Sequence, residues 1–153
     1  MDADDKIENL ARFSIIYHEG VGGYMVDRAK LERCRRLRRE AEYARERLQE
    51  FTLKVTTRTD LLSRGSGKGQ PTEAAALAMI NMEDMLSFIL KDYESLVKEI
   101  SEACLKIDPV YRELIMLRYI EGCSWSDIEL KMMYSVSYLY ELHRKAIKAI
   151  SAA

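Results

Sequence analysis

The sequence predicts an all-α protein: a long antiparallel helical hairpin followed by a three-helix domain of helix-turn-helix type. Three observations carry this. Only two prolines (Pro71 and Pro109) and seven glycines interrupt 153 residues rich in helix formers. No stretch alternates apolar and polar residues long enough to read as a strand. Two segments repeat apolar positions at alternating steps of three and four, the heptad signature of helices packed lengthwise.

Residues 1–24 form an N-terminal arm or short helix. Ile7, Leu10, Ala11, Ser14 and Tyr17 keep helical spacing until Gly20-Val21-Gly22-Gly23 ends the run. The hairpin occupies residues 25–107. Its first helix spans about Val26 to Phe51, with a seam of Cys34, Leu37, Ala41, Ala44, Leu48 and Phe51 that reaches Val55. A loop is expected over about 53–71, where Thr56-Thr57-Arg58-Thr59 precedes the flexible run Arg64 to Pro71. The second helix runs from about Thr72 to Ile107, with Met79, Met82, Leu86, Ile89, Tyr93, Leu96, Ile100, Ala103 and Ile107 in register. One helix is basic and the other acidic, and Ala41 and Ala44 leave room for larger residues across the seam. The same seams serve a coiled coil between two copies, so a homodimer stays open.

Asp108-Pro109 is the strongest punctuation in the chain, with Asp108 as cap and Pro109 at the first helical position. It opens a domain of residues 108–153. A helix of about Pro109–Glu121 closes at Gly122. The next starts at Ser124, with Asp127 completing a capping box, and ends near Met132. The last is capped by Ser135 and runs to about Ile150. A link of two or three residues around Met133-Tyr134 forces the last two helices to cross steeply. Periodicity turns Leu114, Leu117, Trp125, Ile128, Met132, Leu139, Leu142, Ala146 and Ile150 inward.

The opposite face of the last helix carries Ser137, Tyr140, Glu141, Arg144 and Lys148, flanked by Val136, Tyr138 and Lys145. Short polar groups sit near the helix start and cations further along. This is the distribution that duplex DNA asks for, with base edges read near the helix N-terminus and phosphates neutralised beside it. The net charge of −1 excludes a uniformly basic coat protein, but from Lys131 onward four cations stand against the single acid Glu141.

Other chemistry finds little footing. Cys34, Cys104 and Cys123 are odd in number and widely spaced, as in a reduced cytoplasmic protein and not a disulfide framework. His18 and His143 stand apart from any Cys or carboxylate at ligand spacing, so no metal or other cofactor is expected. His143 borders the core. No nucleophile–base pairing suggests an enzyme. Gly65-Ser66-Gly67-Lys68-Gly69 lacks the spacing and the hydroxyl of a phosphate loop. The arginine run Arg33–Arg39 reads as a solvated face with Glu40, Glu42 and Glu46 to pair with. Met79, Met82 and Met85 read as core filler. No segment has the length of a membrane span or the pattern of a signal peptide.

The run Tyr111 to Gly122, then Ser124-Trp125-Ser126-Asp127-Ile128, Tyr134-Ser135 and Leu142 to Ile147, resembles sigma-factor region four. It is similar in this to small phage and prophage regulators of the ArpU/RinA type, whose helical N-terminal half precedes such a domain. The resemblance implies a bacteriophage transcription regulator in a bacterial cytoplasm, bound to double-stranded promoter DNA and in contact with RNA polymerase. By position it assigns base reading to Val136, Ser137, Tyr140 and Glu141, and backbone contact to Arg144, Lys145 and Lys148. Two positions depart from the pattern. Glu129 stands where a small residue is expected, either at the inter-helix contact or turned outward, and Met133 replaces the turn glycine. A left-handed backbone costs a non-glycine residue about 1–2 kcal/mol, so a reshaped turn or a tilted last helix is expected there.

Two readings from other classes compete. A trihelical protein-interaction module would show the same caps and the same short link. A small DNA-packaging subunit of terminase type would use the heptad seams to build a ring, with DNA contact secondary.

Overall fold

The computed structural model describes residues 25–63 and 72–153. Five helices follow one another: α1 (Arg28–Ser63), α2 (Glu73–Cys104), α3 (Pro109–Ile115), α4 (Trp125–Met132) and α5 (Val136–Ser151). A π-helical turn, Met116–Ile120, prolongs α3. The fold is all-α, with no strand among the described residues. The expected N-terminal arm and the glycine-rich run Arg64 to Pro71 lie outside them.

The loop expected from residue 53 does not begin there, because α1 continues to Ser63. The threonines that read as a helix break serve the helix instead. Thr52, Thr56 and Thr57 donate their hydroxyls to the carbonyls of Leu48, Thr52 and Leu53, at 2.8–2.9 Å. A β-branched hydroxyl tied to the preceding turn does not compete for the backbone.

The chain divides into two units. One joins the residues through Arg38 to Asp92–Ala153, and the other is Arg39–Lys91. In the Arg39–Lys91 unit the seam positions are the ones withdrawn from water. Ala41 is buried, and Ala44, Leu48, Phe51, Val55, Met79, Met82, Leu86 and Ile89 are half-buried. Met85, read as core filler, is exposed, as are Leu77, Ile80 and Phe88 on α2.

In the other unit, Leu31, Cys34 and Leu37 of α1 and Tyr93, Leu96, Val97 and Ile100 of α2 are buried. The two stretches run antiparallel. Lys30 pairs with Glu99 and Arg33 with Asp92, both at 2.9 Å. Arg33 therefore pairs across to α2 and not along its own helix. Such part-exposed pairs contribute about 0–1 kcal/mol each, so the buried side chains, at roughly 1.5–3 kcal/mol apiece, hold this contact. Burial pushes the thiols of Cys34 and Cys104 up to about 12, which keeps them protonated at neutral pH. All three cysteines are free, with Cys123 half-buried.

Asp108 accepts from the Val110 amide at 2.9 Å with Pro109 in the first turn, as the sequence requires. The compact unit nevertheless runs straight through this point. Arg112, one turn into α3, reaches back to the carbonyls of Cys104, Leu105 and Ile107 and closes the end of α2.

The helix expected to Glu121 does run to that residue, but its last turn is wider than an α turn. The Glu121 amide donates to Met116 O at 2.9 Å, a π-type bond that leaves the Ile120 carbonyl facing away from the helix ladder. Two donors take that carbonyl, Arg38 Nη1 at 2.6 Å and Tyr93 Oη at 3.0 Å. Gly122 then turns the chain with φ +72°, and a Cβ there would meet the Arg38 side chain at 3.3 Å. The wide turn thus fastens α3 to both α1 and α2.

Candidate nucleic-acid interface

The helix pair α4–α5 is built by local capping. Ser124 Oγ accepts from the Asp127 amide at 3.1 Å while Asp127 Oδ2 accepts from the Ser124 amide at 3.0 Å, which completes the expected capping box. The Ser124 hydroxyl, donating to Asp127 Oδ2 at 2.6 Å, and then the Ser124 amide hold the Asp127 carboxyl below its usual range. Ser135 accepts from the Tyr138 amide to start α5. Leu114, Leu117, Ile128, Leu139 and Leu142 form the core beneath, and Ala146 and Ile150 are buried further along α5. Trp125 and Met132, expected inside, are only half-buried at its edge.

The turn is neither reshaped nor avoided. Met133 adopts φ 57°, ψ 34°, the left-handed conformation that glycine takes at no cost, and its amide closes onto Glu129 O at 2.9 Å. Glu129 settles at the inter-helix contact, where its carboxylate accepts from the Val136 amide at 3.3 Å and caps α5 a second time. The non-glycine turn leaves a measurable mark. Met133 is 85% exposed, so replacing it loses no packing. Met133→Gly is expected to raise the unfolding free energy by about 1 kcal/mol: relief of left-handed strain outweighs the extra freedom of the unfolded chain. A urea midpoint that stays put or falls, at constant slope, would show that the turn carries no strain.

Of the eight residues singled out on α5, seven are exposed together: Ser137, Tyr138, Tyr140, Glu141, Arg144, Lys145 and Lys148. Val136 is half-buried, its amide engaged by Glu129, so it lies at the margin of the face. Tyr138 packs edge-on against Tyr134 at 5.1 Å. Tyr140 leans on Trp125 at 4.7 Å, and Arg118 lies over the indole at 4.5 Å while donating to the Cys123 carbonyl. Trp125 thus acts as a shelf that fixes the Tyr140 ring. Lys131 is withdrawn from the basic C-terminal set, since Glu121 pairs with it at 3.0 Å and holds its ammonium above the ordinary range. Arg144, Lys145 and Lys148 have no ion pair among the described residues.

Behind this face, His143 Nε2 lies 2.7 Å from Tyr119 Oη, and the rings stack. Burial pushes the Tyr119 phenol up to about 12. Burial first, then Arg28 and Arg118, push the His143 imidazole down from 6.5, with Glu32 opposing. The unfolded chain therefore takes up a proton near pH 6.5 that the folded protein resists. Stability is full above that pH and falls as the pH drops below it. Urea titrations between pH 7 and 5 are expected to show this decline, flattened in His143→Gln. An identical slope in both proteins would place the proton elsewhere.

Among the described residues no cluster of His, Cys, Asp or Glu is placed to hold a metal ion. No helix among them is long and apolar enough to cross a membrane. No family model, curated protein or solved structure matches this chain.

Proposed function

We propose that this protein is a double-stranded DNA-binding transcription regulator of phage type, which inserts the N-terminal part of α5 into the major groove. The observation that carries the reading is the α5 face. Hydroxyls and a carboxylate at Ser137, Tyr140 and Glu141 stand exposed near the helix start, and the cations Arg144, Lys145 and Lys148 follow along the same side. The major groove admits an α-helix, and a helix held by a capped partner across a short turn is the geometry by which helix-turn-helix units present one to it. The resemblance to sigma-factor region four adds RNA polymerase as a partner and a bacterial cytoplasm as the place of action.

The test is duplex binding across a salt series. Three phosphates neutralised by Arg144, Lys145 and Lys148 contribute about −2.7 to the slope of log affinity against log salt. Binding that is absent, or indifferent to salt, would sink the reading. One observation favours the assembly alternative: Leu77, Ile80, Met85 and Phe88 leave an exposed apolar stripe on α2. Mass in solution decides between them, a monomer or dimer fitting the regulator and a large ring the packaging subunit.

A further inference from the structure

The cationic side of α5 does not end at α5. Within the same compact unit, an open groove is lined by Arg144, Lys145 and Lys148 together with Arg28 from the first turn of α1, with Glu141 and His143 between them. Four cations face one carboxylate. Several basic neighbours on α1 are already engaged. Lys30 is paired with Glu99, Arg33 with Asp92, and Arg38 is bound to the Ile120 carbonyl. Arg28 has neither an ion pair nor a hydrogen bond among the described residues, and its side chain is exposed.

We infer that Arg28 completes an anion site with Arg144, Lys145 and Lys148, and that the site takes the phosphate oxygens of a DNA strand running past the C-terminal half of α5. A guanidinium delivers two parallel hydrogen bonds to a phosphate, which a lysine does not, and Arg28 brings a second guanidinium to the groove from a different helix than Arg144. The N-terminal helix is then part of the DNA footprint, and the last three helices alone bind more weakly than the whole chain. This rests on the DNA-binding reading, and the ligand chemistry it names is the phosphate oxyanion, whether in a strand or free.

The experiment has two arms on the full chain. In the first, Arg28→Gln is compared with the unaltered protein in a salt series on duplex DNA. The expected result is a slope shallower by about 0.9 and a uniform loss of affinity across sequences. An unchanged slope, in a protein that still binds DNA, overturns the Arg28 assignment and leaves the α5 reading standing. In the second arm inorganic phosphate and then pyrophosphate are titrated while the His143 ring protons are followed by NMR. Saturable shifts that Arg28→Gln abolishes support the site even if the unaltered protein fails to bind duplex DNA, in which case the DNA reading falls and a free phosphate is the ligand. Shifts that are absent or survive the substitution overturn the site. Arg28→Lys, which keeps the charge and loses the bidentate geometry, is expected to restore the salt slope but only part of the affinity.

Discussion

Replacing both Arg144 and Lys148 with glutamate is expected to lower duplex affinity by about two orders of magnitude at 0.1 M salt, equally on every sequence. Each phosphate contact contributes about 0.9 to the salt slope, so its loss removes close to a factor of ten at that concentration, and reversal of charge adds repulsion. Both side chains are exposed and neither has an ion pair among the described residues, so far-UV circular dichroism and the thermal midpoint should not move. Lys131→Gln is the matched control, since its ammonium is already held by Glu121 and its loss should leave the slope alone. Ser137→Ala should act in the other way, narrowing the gap between the best site and random DNA by about 1–3 kcal/mol with the slope preserved. At Tyr140 the informative change is to Phe and not Ala, because the ring rests on Trp125 and its removal would unsettle α5 as well as the hydroxyl. If the double reversal leaves binding as it was, the duplex does not lie on this face.

What could be read from the sequence is what is decided locally. Asp108, Ser124 with Asp127, and Ser135 cap their helices because each side chain answers amides two or three residues away. Helical periodicity marked Leu114, Ile128, Leu139 and Leu142 as core and Ser137, Arg144 and Lys148 as surface, since one face of a helix repeats in the chain itself. The departures have causes that the local sequence leaves open or does not hold. The threonines after Phe51 satisfy turn statistics and helix geometry alike, and only their hydroxyl bonds to the preceding turn show which prevails. The π turn at Met116–Ile120 leaves no mark in composition, and the two donors that take its Ile120 carbonyl, Arg38 and Tyr93, come from distant parts of the chain. Arg28 escaped notice for the same reason. It lies in a basic helix where arginines are ordinary, and only the fold sets it beside Lys145 and Lys148.

Leu31→Ala is expected to cost the three-helix region its stability, although Leu31 lies far from it in the chain. Leu31 is fully buried on the first stretch of α1, and truncating such a side chain costs about 2–5 kcal/mol in lost burial and residual cavity. Against a total of roughly 5–15 kcal/mol, this is a loss on the order of 10 °C or more in the thermal midpoint. The decisive probe is Trp125, the only tryptophan, which sits at the start of α4 against Tyr140 of α5 and Arg118 and so reports on the three-helix region. Arg38 holds the Ile120 carbonyl, Arg112 closes α2, and Arg28 borders the α5 groove, so loosening α1 should loosen α4 and α5 with it. Trp125 fluorescence and far-UV circular dichroism should therefore shift together in Leu31→Ala. Leu53→Ala, at a position 68% exposed, should move neither. A Trp125 transition that stays in place while the helical signal melts early would mean that residues 108–153 fold by themselves, and that the boundary at Asp108-Pro109 is a true domain junction. The joint shift would instead tie the orientation of α5 to the seating of α1, so that anything binding along the first turns of α1 would act directly on the helix proposed to meet the DNA.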